Sequence, residues 1–270
     1  MSEAPALSGA RKAFAWVLWL ASSTLGTICG IGGGIFATPI QHYVCGVPLP
    51  RAISTSLVLV LVMTLVATGV EATRADGAID WSVVGLLLVG SIPGAQLGYA
   101  VGKRATLRAL KLAFVVLMVA AAIRLATLSG RGATGELASG LALSAPEVAL
   151  VIAVGVGGGF LAPLLGVGGG ILVIPMLFLL LSDTSYLEVR ACSMAMSIVN
   201  AAQSVWLNFR DGRIDFRAAA PYAVIAVVGA LVGAWLVHLP GWGEVARIAL
   251  TVVLLFVAVR FALDVRSTRA

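Results

Sequence analysis

Two glycine runs carry the chemistry open to this chain. Gly30-Ile31-Gly32-Gly33-Gly34 is followed by Pro39, and Gly166-Val167-Gly168-Gly169-Gly170 is followed at the same interval by Pro175. Both runs interrupt long apolar stretches, and irregular backbone at membrane depth is tolerated only where protein or water surrounds it. A helix restarting at Ile35 or Ile171 presents unpaired N–H groups and the positive end of its dipole, a combination suited to an anion. The competing reading is that Gly34 and Gly170 only let helices pack closely, as small residues do in membranes. Duplication, each copy with its proline, favours a binding site, because helices broken at matching places in two halves mark such sites. The backbone contacts are therefore expected at Gly32, Gly33, Gly34, Gly168, Gly169 and Gly170.

Polar side chains near the runs suit the same ligand. The uncharged stretches 13–50 and 148–182 contain no Asp or Glu, whereas a cation path would place carboxylates there. Ser54, Thr55 and Ser56 open the helix after the first run. Ser193, Ser197, Asn200 and Ser204 share one face of the matching helix by the i, i+4, i+7 spacing, and Gln203 is on the same helix. Ser54, Thr55, Ser193, Ser197 and Asn200 are the expected side-chain donors, although hydroxyls of this kind also bond to their own backbone. Arg51 and Arg190, just before these helices, are expected to recruit an anion at the mouth or to anchor at the interface. Glu71, ending an otherwise uncharged helix, is the one candidate proton carrier; a coupling Na+ is the alternative.

Other chemistries find no support. His42 and His238 have no Ser, Cys or acidic partner at motif spacing, so neither a nucleophilic triad nor a metal site is indicated. Cys29, Cys45 and Cys192 show no CxxC or Cys/His spacing and read as small apolar helix residues, although Cys29 abuts the first break. No Walker-type nucleotide loop is present, and no catalytic residue, metal or cofactor is expected. Trp16, Trp19, Trp206 and Trp242 suit interfacial belts.

The elements that must position these residues come in two copies. Arg51-Ala52-Ile53-Ser54 answers Arg190-Ala191-Cys192-Ser193, and Asp76-Gly77-Ala78-Ile79-Asp80-Trp81 answers Asp211-Gly212-Arg213-Ile214-Asp215-Phe216. Gly94-Ala95-Gln96-Leu97-Gly98 answers Gly229-Ala230-Leu231-Val232-Gly233, and Ile123-Arg124-Leu125-Ala126 answers Val259-Arg260-Phe261-Ala262. The expected organisation is a cytoplasmic N-terminus (1–12), repeat one (13–128), a linker (129–145), repeat two (146–264) and a short tail (265–270). Each repeat reads as a broken segment (14–46; 147–182) followed by three helices (52–71, 81–101, 107–127; 190–208, 217–238, 245–263).

Composition sets the solvent. Hydrophobic residues make up 60% of the chain and charged residues 11%, with a mean hydropathy of +1.05, far from soluble averages. This indicates an all-α polytopic membrane protein of about 8–10 segments, since a crossing takes about 20 residues. The stretch Ala13–Ala21 after Arg11 and Lys12 resembles a signal peptide, but Ala13–Ile28 occupies the place in repeat one that Ala149–Leu164 occupies in repeat two and reads as a retained helix. The formal charge of +6 comes from basic residues in short loops and sets topology, with no nucleic-acid partner implied. Parallel repeats would place Arg51, Lys103, Arg104, Arg108, Lys111, Arg190 and Arg247 outside. Re-entrant broken segments with inverted repeats would place only Arg74, Arg124, Arg131, Arg190 and Arg247 there, so the positive-inside rule favours inversion.

On these residues the chain resembles the TauE/SafE family of sulfite-exporter-like permeases. The pattern is the Gly-x-Gly-Gly-Gly run with its following proline and an Ala-x-Ser helix start, in both halves. The resemblance implies transport of a small sulfur-containing or organic anion, such as sulfite or a sulfonate, across a bacterial cytoplasmic (inner) membrane. The second copy departs from Ser-Thr-Ser, reading Cys192-Ser193-Met194-Ala195-Met196-Ser197, which is compatible with one asymmetric site. The expected function is a secondary anion permease working by alternating access, in a lipid bilayer and as a monomer or homodimer. An anion channel and a non-transporting scaffold are the alternatives.

Overall fold

The computed structural model describes residues 9–74, 78–102, 143–180 and 185–267, with the single positions 115, 119, 122 and 123 between them. Asp76 and Gly77, nearly all of the helix expected at 107–127 and most of the linker lie outside the described residues. Among those described, every regular element is a helix. They are α1 (Gly9–Ile28), α2 (Gly34–Pro39, prolonged by a π-helical turn Ile40–Val44), α3 (Leu49–Thr73), α4 (Trp81–Gly102), α5 (Ala145–Leu165), α6 (Gly170–Leu180), α7 (Tyr186–Arg210), α8 (Phe216–Leu236) and α9 (Trp242–Ser267). Pro50–Thr73, Trp81–Val101, Ala145–Leu164 and Ala218–Leu236 are each long and apolar enough to cross a membrane. The chain is an all-α polytopic membrane protein, and its outward face is apolar, with Val224, Val228, Trp235, Val252 and Phe256 exposed.

Local chemistry sets several helix starts. The Asp80 carboxylate accepts the Ser82 and Val83 amides at 2.8 and 3.3 Å, and Asp215 accepts the Ala218 amide at 3.0 Å. The second aspartate of each Asp-Gly block thus caps the helix that follows it. Glu147 does the same for α5 by reaching back to the Ser144 amide at 2.8 Å, as a capping-box glutamate does.

The broken segments are hairpins. After α1 the chain turns at the glycines, Gly26 packs on the backbone of Gly33, and the return comes level with Trp19. There the Trp19 ring stacks on Tyr222 at 5.4 Å, and the Cys45 thiol donates to the Tyr222 hydroxyl at 3.2 Å. In the other half α6 folds back on α5, so that Gly158 faces both Gly169 and Val173.

Helix directions follow from the cross-chain contacts. Helices α3 and α7 run antiparallel, because Ser54 meets Asn208 while Glu71 meets Arg190. Helices α4 and α7 run parallel, joined at Asp80–Cys192, Ile92–Gln203 and Tyr99–Leu207. Helix α1 lies parallel to α8, and α4 parallel to α5, each pair in glycine-mediated contact. Along α4, Gly90, Gly94 and Gly98 meet the backbone of Ile152, Val156 and Phe160, and Gly155 and Gly159 of α5 meet Leu87 and Ser91. Lipid supplies no hydrophobic drive between helices, so close backbone approach is what holds them together.

This packing gives a direct test. A Cβ on Gly94 would lie 3.0 Å from the Val156 Cα and carbonyl carbon, whereas one on Gly85 meets nothing within 4 Å. Gly94→Leu should therefore destabilise the protein by about 1–3 kcal/mol, and Gly85→Leu by less than about 0.5 kcal/mol, read as unfolding midpoints in detergent.

Candidate functional site

The two glycine runs adopt the same backbone. Gly30, Gly32 and Gly33 have φ of 73°, 68° and 67°, and Gly166, Gly168 and Gly169 have φ of 72°, 74° and 93°. This is the left-handed region, which costs an L side chain about 1–2 kcal/mol per residue. Gly34 and Gly170 begin the return helices and are small for a different reason. A Cβ on Gly34 would lie 2.6 Å from the Val167 Cα, and one on Gly170 would lie 2.9 Å from both the Gly30 carbonyl oxygen and the Ser193 Oγ. The two breaks are therefore in backbone contact, each return helix starting against the turn of the other run.

A broken helix leaves carbonyls on one side and amides on the other. The carbonyls are satisfied by side chains of α3 and α7. Arg190 Nε donates to the Thr27 carbonyl at 3.0 Å, the Tyr186 hydroxyl to that of Ile28 at 3.0 Å, and Ser193 Oγ to that of Gly30 at 3.3 Å. Ser56 Oγ donates to the Gly166 carbonyl at 3.2 Å and lies 2.9 Å from Thr38 Oγ1, and Asn200 Nδ2 reaches the Gly168 carbonyl at 3.4 Å. The amides are treated differently. Those of Gly33, Gly34 and Ile35, and those of Gly168, Gly169, Gly170 and Ile171, have no acceptor among the described residues. Beside them, Ser197 packs on Gly168 and Asn200 on Gly169. Ser197 Oγ and Asn200 Oδ1 are buried with no partner among the described residues.

The residues singled out from the sequence fall into groups. Ser193, Ser197 and Asn200 lie against the glycines. Ser54 donates to Asn208 Oδ1 at 2.9 Å, and Thr55 Oγ1 accepts the Asp215 amide at 3.2 Å, so both join α3 to the far end of α7 and the turn after it. Ser56, the third hydroxyl of that run, is the one that touches the break. Arg51 is exposed, whereas Arg190 is placed inside the protein, with 0% of its surface exposed. There its Nη1 donates to Glu71 Oε2 at 3.1 Å, and His238 Nε2 lies 3.1 Å from the same oxygen. Sequence reasoning missed this last grouping, since Glu71 and His238 are 167 positions apart and no local spacing joins them.

Two hydroxyls one turn apart should thus respond in opposite ways. Ser193→Ala strands the Gly30 carbonyl and should cost about 1–3 kcal/mol of stability. Ser197→Ala removes a hydroxyl with no partner and should leave the unfolding midpoint unchanged or raised.

Facing glycine breaks inside a multi-pass helical bundle define a class of membrane protein with a backbone-lined centre. The chain belongs to the sulfite exporter TauE/SafE family, whose model matches residues 2–125 and 151–270. Among curated relatives, it is 25% identical over 238 residues to the "Probable membrane transporter protein YunE" of Bacillus subtilis (strain 168), a match covering 80% of this chain and 84% of that protein. It is 32% identical over 117 residues to the "Probable membrane transporter protein MamO" of Paramagnetospirillum magneticum, covering 41% of this chain. That match spans 18% of the length of MamO. No solved structure matches.

Proposed function

We propose that this protein is a secondary transporter of a small anion, sulfur-containing or organic, in a bacterial cytoplasmic membrane. The observation that carries this reading is the set of unpaired, buried amides at the starts of α2 and α6, brought together by the glycine contacts. Amides at a helix start attract negative charge, and the stretches 13–50 and 148–182 around the breaks carry no carboxylate to oppose it. Ser197 Oγ and Asn200, buried beside the second run, supply side-chain polarity at the same place. The family's name, and the names of its relatives as membrane transporters, support transport of a sulfite-like anion.

The transport mode proposed is alternating access between two inverted repeats, 13–128 and 146–264. Its support is directional. Helix α3 runs opposite to α7 and, by the Thr55–Asp215 and Glu71–His238 contacts, parallel to α8; since α4 and α5 share the direction of α7 and α1 that of α8, α1 runs opposite to α5 and α4 opposite to α8. The first helix of each half packs on the third helix of the other, which leaves the two breaks facing each other at the centre.

The test is uptake of radiolabelled sulfite, sulfate and sulfoacetate into proteoliposomes, with counterflow to separate a carrier from a channel. Saturable uptake with counterflow is expected, lost in the Gly33→Ala, Gly169→Ala double variant. Ser197→Ala, which leaves the fold intact, should raise KM about tenfold or more, the worth of a hydrogen bond to a charged group. No flux of any of the three by folded protein overturns the reading.

A further inference from the structure

Beside the glycine breaks lies a buried charged cluster that the anion site alone does not use. Arg190 projects from α7 onto the first break, where a Cβ on Gly30 would lie 2.7 Å from Arg190 Cγ. Its guanidinium donates through Nε to the Thr27 carbonyl and through Nη1 to Glu71. Nη2 is buried and has no acceptor among the described residues. On the same helix, about one turn or 5 Å further along, Ser193 contacts Gly30 and the start of α6. Glu71 Oε2 is shared between Arg190 and His238, while Oε1 takes the Ala78 amide at 3.4 Å. His238 belongs to the turn after α8, with 8% of its side chain exposed.

We infer that Glu71, Arg190 and His238 couple the anion to a proton: Arg190 holds either the Glu71 carboxylate or an oxygen of the anion, and protonation of Glu71 decides which. This inference rests on the glycine breaks being the anion site. With Glu71 ionised, its carboxylate and the Arg190 guanidinium form a neutral buried pair. Adding a proton to it leaves the guanidinium uncompensated, and an uncompensated buried charge costs several kcal/mol. An anion entering beside Arg190 supplies the negative charge that protonated Glu71 has given up, so proton and anion are each bound more readily in the presence of the other. The proton comes from water through His238 to Glu71 Oε2. The Nη1–Oε2 hydrogen bond breaks, the guanidinium N–H groups turn to the anion, and no heavy-atom bond changes.

Among the described residues Glu71 is the one carboxylate in contact with Arg190. Facing the cluster are Thr27 and Cys29 at the end of α1, Tyr186 on α7 and the Ala78 amide in the turn after α3, while Glu188 and Cys192 on α7 interact with Asp80. On α9, Glu244 and Arg247 pair with each other at 2.6 Å. Arg51, which occupies the matching place in the first half, is exposed, so the device occurs on one side of the protein.

The test is calorimetry of sulfate or sulfoacetate binding to the purified full-length chain in buffers of different ionisation enthalpy near pH ~7, since neither anion titrates there. About one proton should be taken up per anion bound, and affinity should fall by up to about tenfold per pH unit as pH rises. Glu71→Gln should bind with no proton uptake and with an affinity independent of pH. Anion binding by the wild-type chain without proton uptake overturns the coupling while leaving the carrier in place, and requires no variant to fold. A Glu71→Gln variant that keeps the wild-type pH dependence also overturns it. Absence of binding and of counterflow for every anion removes the transport reading and this inference together.

Discussion

The structure depends on the backbone contact between two glycine runs at its centre. Gly34 sits on Gly166 and Val167, and Gly170 sits on Gly30 and Ile31, at separations that no side chain fits. Because each return helix starts against the turn of the other run, neither break can move alone. Four helix ends are thereby buried away from water, and buried backbone groups must find partners or cost free energy. The carbonyl ends are provided for by Arg190, Tyr186, Ser193 and Ser56. The amide ends find no acceptor among the described residues, and the proposed function follows from that difference.

The rest of the bundle holds this centre in place. Small-residue seams bring α4 to α5 and α1 to α8 at backbone distance, which fixes the helices that carry the breaks. Across the middle, α3 and α7 are tied at one end by Ser54 and Asn208 and at the other by Glu71 and Arg190. These two ties differ in character. The first is a neutral hydrogen bond beside exposed arginines, and the second is a buried ion pair. The two ends of the α3–α7 pair are thus held by different chemistry.

Much of this was legible in the sequence because it depends on local rules. The glycine runs announced themselves by interrupting apolar stretches and by their repetition, the turns by their Asp-Gly pairs, and the stripe of Ser193, Ser197 and Asn200 by helical spacing. What could not be read was set by partners distant in the chain. The choice of Ser54 and Thr55 over Ser56 turned on helical phase, which has no meaning until Thr38 and Gly166 are in place. Arg190 read as a rim residue because charged side chains are rarely buried, and only Glu71, on another helix, reverses that expectation. For segment 14–46 only the balance of basic residues favoured a return over a crossing, because both geometries bury the same apolar residues; the Cys45–Tyr222 and Trp19–Tyr222 contacts bring the return level with α1.

The central claim is that amides of both glycine runs hold one anion, and magic-angle-spinning NMR tests it most directly. The protein, labelled with 15N-glycine in lipid vesicles, would be saturated with 13C-sulfoacetate and the dephasing of each glycine amide by the ligand carbon measured. Dephasing at amides of both runs, with none at Gly85 or Gly243, is the result this account predicts. Ligand that binds saturably without dephasing any amide of either run would contradict it.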